Sequence, residues 1–156
     1  MLSSSLPGLI KDELALLRRF VSLLQSEEQA LIPGDLDRLL PLAEEKSRLA
    51  MALGQLADAR NRTLAEAGLA TDKAGIESWL SSQERASPSR GDWAALLALA
   101  AETRLQNELN GKLIATRMQH NQRALAVLHA AASQAMLYGP DGQQRPLAGG
   151  RDFGAV

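Results

Sequence analysis

The side chains capable of acid–base or metal chemistry are few in this chain. It has two histidines and no cysteine. His120 and His129 are nine positions apart, on nearly opposite faces of one helix, so we do not expect them to share a metal ion. Glu44 and Glu45 are adjacent, but neighbours in a helix point about 100° apart. With no Gly-rich phosphate loop and no Ser-His-Asp arrangement either, we expect no enzyme, no catalytic residue, no metal and no cofactor.

The charge distribution gives no reason to expect a nucleic-acid partner. The formal net charge is −1, and residues 1–68 carry 8 basic and 10 acidic side chains against 9 and 8 in residues 69–156. Four cations on one helix have few aromatic neighbours and an intervening acid; they are Arg104, Lys112, Arg117 and Arg123. No apolar run approaches the ~18–20 residues of a membrane span. We therefore expect no membrane insertion, and the absence of cysteine fits a reducing cytoplasm.

The composition favours helices. Hydrophobic residues make up 46% of the chain but aromatic residues only 3%, and leucine and alanine dominate. Residues 6–32 contain an apolar seam at heptad spacing, formed by Ile10, Leu14, Leu17, Val21, Leu24 and Leu31. A second seam, about 100° around the helix, contains Leu9, Leu16, Phe20 and Leu23. Two adjoining seams predict contacts with two partner helices, as in a bundle.

A second long helix is predicted over roughly residues 35–67. Pro33-Gly34 ends the first helix, and Asp35 is placed to cap the second. The inward positions of this helix recur at steps of three and four: Leu39, Leu42, Lys46, Leu49, Leu53, Leu56, Arg60 and Leu64. Because the turn is short, the two helices should be antiparallel. Pro41 predicts a bend or an irregular first turn.

The remaining sequence predicts a short helix, a long helix and a tail. Gly68 closes the second helix, and a short helix follows over about residues 72–84. The stretch RASPSRGD is typical of a flexible loop, with Asp92 capping a helix from Trp93 to about Leu137. The predicted fold is all-α: an elongated antiparallel three-helix bundle or coiled coil with one additional short helix. We expect a bundle domain over residues 1–138 and a flexible C-terminal tail over residues 139–156.

The stretch NELNGKLI, residues 107–114, is unusual because asparagine and glycine are poor helix residues. A strict heptad counted backwards from Leu128 places Asn107, Gly111, Ile114 and Asn121 on one apolar seam, with Asn110 on the adjoining face. A buried seam asparagine can fix helix register, and a glycine allows close packing. We interpret these residues as packing and register positions. A ligand contact, or a kink or helix end, is left open.

The far end of the same helix is apolar on more than one face. If the first two helices cannot cover its whole length, apolar surface is left over next to the tail, and it could bind a partner helix. The candidate partner-binding residues are Leu125, Val127, Leu128, Ala132, Met136, Leu137 and Tyr138. The alternative is that this end belongs to the core of the bundle.

Three segments resemble the FlgN-type flagellar type III export chaperone family over about residues 10–145. They are EEQALIPGDLDRLLPLAEEKSRL at 27–49, the cluster of Asn107, Asn110, Gly111 and Ile114, and YGPDGQ at 138–143. Pro41, inside the second helix, departs from the family's pattern.

The resemblance implies a cytoplasmic bacterial chaperone. Its partners would be the hook–filament junction (hook-associated) proteins, whose amphipathic C-terminal helix it would hold, and a component of the membrane export gate. The mechanism would be non-covalent masking of that helix until its release at the gate. A different class of protein remains open, namely a helical scaffold that self-associates through its heptads as a homo-oligomer and has no export substrate.

Overall fold

The helices of this protein are seen in a computed structural model, which describes residues 5–85 and 87–137. Within those ranges the chain forms four helices and no strand. They are α1 (Leu6–Leu31), α2 (Leu36–Glu66), α3 (Lys73–Ser81) and α4 (Pro88–Leu137). The predicted all-α class, with three long helices and one short one, is confirmed. The predicted tail, residues 139–156, lies outside the described residues.

The turn between α1 and α2 is built as the sequence predicts. Gly34 adopts a positive φ of 73°, a backbone conformation that glycine accepts without strain. Asp35 caps α2, because its Oδ1 accepts a hydrogen bond from the backbone N–H of Arg38 at 3.3 Å. The helix begins directly at Leu36 and runs through Pro41. The irregular first turn that Pro41 predicted is therefore not found.

Two ion pairs join α1 to α2. Lys46 donates to both carboxylate oxygens of Glu27, at 3.1 and 3.3 Å, and Arg60 donates to both oxygens of Glu13. Glu13 precedes Glu27 on α1 by the same number of residues by which Arg60 follows Lys46 on α2. The two helices are therefore antiparallel, as predicted. Both carboxylates are buried, and their pairing offsets the desolvation of charge. The cations occupy inward positions of α2 that the sequence assigned to them.

The apolar core of the first part of the chain has two clusters. The larger is formed by buried side chains from all four helices: Leu6, Ile10, Leu14, Leu17, Leu64, Ile76, Leu80, Trp93 and Leu96. The smaller joins α1 to α2 through Phe20, Leu23, Leu24 and Leu49. Most of the apolar positions in the two predicted seams of α1 are thus buried, and the helix does contact more than one partner, as expected.

The connection from α2 to α3 depends on two glycines. Gly68 has a positive φ of 74° and follows the end of α2. Gly75 lies in the first turn of α3, where an added Cβ would stand 1.7 Å from the carbonyl oxygen of Ala70. Asp72 caps this helix by accepting from the backbone N–H of Gly75 at 3.1 Å. The short helix predicted over about 72–84 is therefore present over Lys73–Ser81.

The start of α4 corrects the predicted loop. The helix begins at Pro88, and Asp92 lies inside it rather than capping it. Proline suits the first turn of a helix, because its fixed φ is helical and its missing N–H would have no partner there. Arg90 ties this turn to the end of α3 by donating to the carbonyl oxygens of Leu80 and Gln83, at 2.8 and 3.2 Å.

The chain divides into two compact units, Met1–Leu113 and Ile114–Val156. The described part of the second unit is the segment of α4 from residue 114 to residue 137. Across the described ranges, no helix combines the length and the apolar character needed to cross a membrane.

Candidate partner-binding surface

Asn110 is the polar centre of the contact between α4 and α1. Its side chain is fully buried, and its Nδ2 donates both to the carbonyl oxygen of Leu24 and to Oε1 of Glu27, each at 2.9 Å. Its Oδ1 accepts from Nε2 of Gln106 at 2.9 Å, and Gln106 also donates to Glu28 at 2.6 Å. A buried amide with all these partners fixes the axial position of α4 against α1.

The predicted seam through NELNGKLI is wrong by one residue. Asn107 and Gly111 are exposed, whereas Asn110 is buried. The inward face of α4 in this region is formed by Thr103, Gln106, Asn110 and Leu113. Of these four residues, only Leu113 is fully apolar. The heptad was traced through apolar residues, so it missed this polar face. The face is polar because it lies against the carboxylates of Glu27 and Glu28 on α1. Carboxylates at such a contact need hydrogen-bond donors, so the matching face of α4 is polar.

The other proposed packing residues are not enclosed by the described chain. A Cβ added at Gly111 meets no atom within 4 Å, so no close backbone approach explains this glycine. Ile114 is 39% exposed, and Asn121 is exposed as well. The alternative of a helix end at this point is also not seen, because α4 continues from Pro88 to Leu137.

Within the first unit, α4 runs in the same direction as α1. Trp93 packs in the cluster that contains Leu6, Ile10 and Leu14, and Asn110 reaches Leu24, near the other end of α1. Helix α1 ends at Leu31, soon after this contact. Asn110 therefore contacts the C-terminal part of α1, and the first unit ends at Leu113, three residues after Asn110.

The second unit carries exposed apolar side chains along α4. Ile114, Met118, Val127 and Leu128 are 39%, 58%, 69% and 65% exposed. The spacing of Ile114, Met118, Asn121 and Leu128 is that of one helix face, and Val127 lies on a second face beside His120 and Arg123. An open depression is lined by His120, Arg123, Val127 and Leu128. We call the residues Ile114, Met118, Val127 and Leu128 the α4 apolar surface.

The structure describes the side chains of two of the seven predicted partner-binding residues. Val127 and Leu128 belong to the α4 apolar surface. Four others lie on the helix, but their side chains are outside the described set: Leu125, Ala132, Met136 and Leu137. Tyr138 lies beyond the last described residue.

A second uncovered apolar group was not foreseen from the sequence. Ile32, Leu36 and Leu40 follow one another at the α1–α2 turn and the start of α2, with exposures of 58%, 69% and 67%. Leu39 and Leu42 were assigned to the inward seam of α2, and both are half-buried. The signal for the outer group was the pair Leu36 and Leu40, four positions apart on a face of the helix that adjoins that seam.

The two exposed groups described above consist of apolar side chains. Among residues 5–85 and 87–137, no group of three or more His, Cys, Asp or Glu side chains is arranged to hold a metal ion. The buried ionic groups, Glu13 with Arg60 and Glu27 with Lys46, are used between helices. On the described part of α4 after residue 113, the large apolar side chains Ile114, Met118, Val127 and Leu128 are exposed, and exposed apolar side chains on a helix are suited to contact with another helix.

Comparison with known proteins agrees with a flagellar role. The family model described as FlgN protein matches residues 1–146. A flagella synthesis protein FlgN of Yersinia enterocolitica is 29% identical over 136 residues, which cover 86% of this chain and 85% of the relative. The protein of the same name from Yersinia enterocolitica serotype O:8 / biotype 1B is 28% identical over 138 residues, with coverage of 87% and 86%. No solved structure gives a significant match.

Proposed function

This chain belongs to the FlgN family, and we propose that it is a cytoplasmic export chaperone that binds the C-terminal helices of flagellar hook–filament junction proteins. A role as a chaperone in flagellum biogenesis follows from the family and from relatives named flagella synthesis proteins. The binding site we assign is the α4 apolar surface, extended by Leu125 and by Ala132, Met136, Leu137 and Tyr138. The observation that carries the proposal is the exposure of Val127 and Leu128, at 69% and 65%.

The driving force would be apolar burial. Full burial of a valine or leucine side chain contributes about 1.5–3 kcal/mol relative to leaving it exposed. A helix laid along α4 would cover side chains spaced three and four apart, which is the usual pattern for recognition of an amphipathic helix. The same contact would mask the apolar face of the bound helix, so that it neither aggregates nor assembles before export.

Delivery to the export gate requires release as well as binding. Association costs roughly 4–15 kcal/mol of lost rigid-body freedom, so a surface of a few exposed side chains gives a complex that dissociates readily. We propose that a component of the type III export gate takes over the substrate from this chaperone. Tyr138, directly after α4, is our candidate contact for the substrate or the gate.

A helical scaffold is the second candidate function. Ile114, Met118, Asn121 and Leu128 repeat at steps typical of a coiled-coil seam, and their described side chains are uncovered in the single chain. A scaffold would bury them against another copy of the chain. Size-exclusion chromatography with light scattering separates the two cases, because only the scaffold needs its C-terminal segment to maintain an oligomer.

The proposed function is tested by deletion. The full chain and a truncation lacking residues 124–156 are each co-expressed with a junction protein that carries its C-terminal helix. We expect the junction protein to co-purify with the full chain and not with the truncation, whose first unit keeps its own core. Circular dichroism checks that the truncation is helical. Equal recovery of the junction protein with both chains would reject the proposed site.

A further inference from the structure

The second half of α4 differs in charge from the rest of the chain. Residues 1–108 contain 12 basic and 16 acidic side chains. From residue 109 to residue 140 there is no aspartate or glutamate, and the three charged side chains are Lys112, Arg117 and Arg123. The chain thus has an acidic first part and a basic, acid-free segment. The charges of residues 1–68 and of residues 69–156 are each nearly balanced, so a comparison of these two halves does not show the difference.

The cations border the α4 apolar surface. Arg123 is exposed, lies four positions before Val127, and lines the depression that contains Val127 and Leu128. Arg117 lies three positions after Ile114 and four before Asn121, so it flanks the face that carries Ile114 and Met118. Any helix packed on this surface would therefore meet positive charge at its edges, and the described residues of the second unit, 114–137, contribute no carboxylate to it.

In the first unit, α4 packs against a helix that presents carboxylates to it. There α4 packs against the end of α1, where Glu27 and Glu28 accept hydrogen bonds from Asn110 and Gln106. The donors belong to α4 and the carboxylates to its partner helix. The basic segment of α4 offers stronger donors for the same kind of partner, because hydrogen bonds to a carboxylate are stronger from a cation.

We propose that the α4 apolar surface selects an amphipathic helix whose apolar face is bordered by aspartate or glutamate. The inference rests on the proposed function and specifies the chemistry of its partner. The charge also disfavours a second copy of α4 as the occupant, since paired copies would bring Arg117 and Arg123 into a shared cationic border. Charge complementarity of this kind gives specificity and fast association, and added salt weakens it.

The test uses the full chain and three synthetic helical peptides with a fluorescent label. All three have the same leucine seam, and their border positions are glutamate, glutamine or lysine. Dissociation constants are measured by fluorescence anisotropy at about 0.05 M and about 0.5 M NaCl, where the screening lengths differ severalfold. We expect the glutamate peptide to bind about tenfold more tightly than the lysine peptide at low salt, and the difference to shrink at high salt.

A charge reversal locates the effect on α4. The variant with Arg117→Glu and Arg123→Glu should reverse the order of the peptides. A matched variant with Arg38→Glu and Arg48→Glu, two exposed cations of α2, should leave the order unchanged. Circular dichroism confirms that both variants keep the helical content of the parent chain.

Three results would overturn the inference. Equal affinity for the glutamate and lysine peptides at low salt would reject charge selection, while co-purification of the junction protein would still support the proposed function. Failure of every peptide and of the junction protein to bind would reject both. Binding of the chain to phosphatidylglycerol vesicles through Arg117 and Arg123, without binding of the glutamate peptide, would show that this segment contacts an anionic membrane instead.

Discussion

Asn110 of α4 and Glu27 of α1 are joined by a hydrogen bond of 2.9 Å, although 83 positions separate them in the sequence. The same Oε1 atom of Glu27 accepts from Nζ of Lys46 on α2 at 3.1 Å. One buried carboxylate therefore connects all three long helices of the first unit. It fixes the register of α4 against α1 and α2 within the first unit.

The first prediction concerns Asn110. Replacement of Asn110 by alanine leaves the carbonyl oxygen of Leu24 without this donor and removes one donor from buried Glu27, so we expect a loss of about 1–3 kcal/mol in the free energy of unfolding. Urea denaturation, monitored by circular dichroism, measures this change in the free energy of unfolding. Asn107→Ala is the matched control, because Asn107 is exposed three positions away, and its effect should stay within about 0.5 kcal/mol. Equal effects of the two substitutions would contradict the register of α4 described above.

The second prediction concerns the pair of Glu13 and Arg60. Replacement of Arg60 by methionine keeps the aliphatic stem but leaves a buried carboxylate unpaired, which we expect to cost about 3 kcal/mol in the free energy of unfolding. It also removes the guanidinium that lies 5.5 Å from the ring centroid of Trp93. The exposed pair of Arg19 and Glu45 is the control, and Arg19→Met should cost below about 1 kcal/mol. A similar cost for both pairs would show that the first pair is not buried.

The third prediction uses the helical glycines. Gly54 and Gly111 have no atom within 4 Å of an added Cβ, so substitution of either by alanine should stabilise the chain by about 0.5–1 kcal/mol through higher helix propensity. Gly75→Ala should destabilise it, because the new Cβ would overlap the carbonyl group of Ala70. Thermal unfolding of the three variants gives the signs. Destabilisation by Gly111→Ala would restore the interpretation that another backbone packs closely there.

The architecture was predictable where the information is local. The cap at Asp35, the end of α1 before Pro33-Gly34 and the heptads of α1 each depend on a short run of sequence, and the structure has them where the sequence predicts them. The inward positions of Lys46 and Arg60 followed from the period of α2, although their partners did not. These features needed no knowledge of the neighbouring helix.

The register of α4 was not predictable in the same way. Which of Asn107, Asn110 and Gly111 faces inward depends on the carboxylates that α1 presents, and a single sequence does not show that pairing. The start of α4 at Pro88 was missed for a related reason. Serine, proline and glycine together are typical of a loop, but proline in a first turn and Arg90 bonded to the end of α3 stabilise a helix instead.

The most direct measurement of the central claim is binding of a junction protein's C-terminal helix to two double variants of the full chain. Val127→Asp with Leu128→Asp changes the α4 apolar surface, and Leu36→Asp with Leu40→Asp changes two leucines of α2 with nearly the same exposures. We predict that the α4 variant raises the dissociation constant at least about 30-fold, because charge replaces two buried contacts, while the α2 variant binds like the parent. Unchanged binding by the α4 variant, or a comparable loss in the α2 variant, would contradict the assignment of the site to α4.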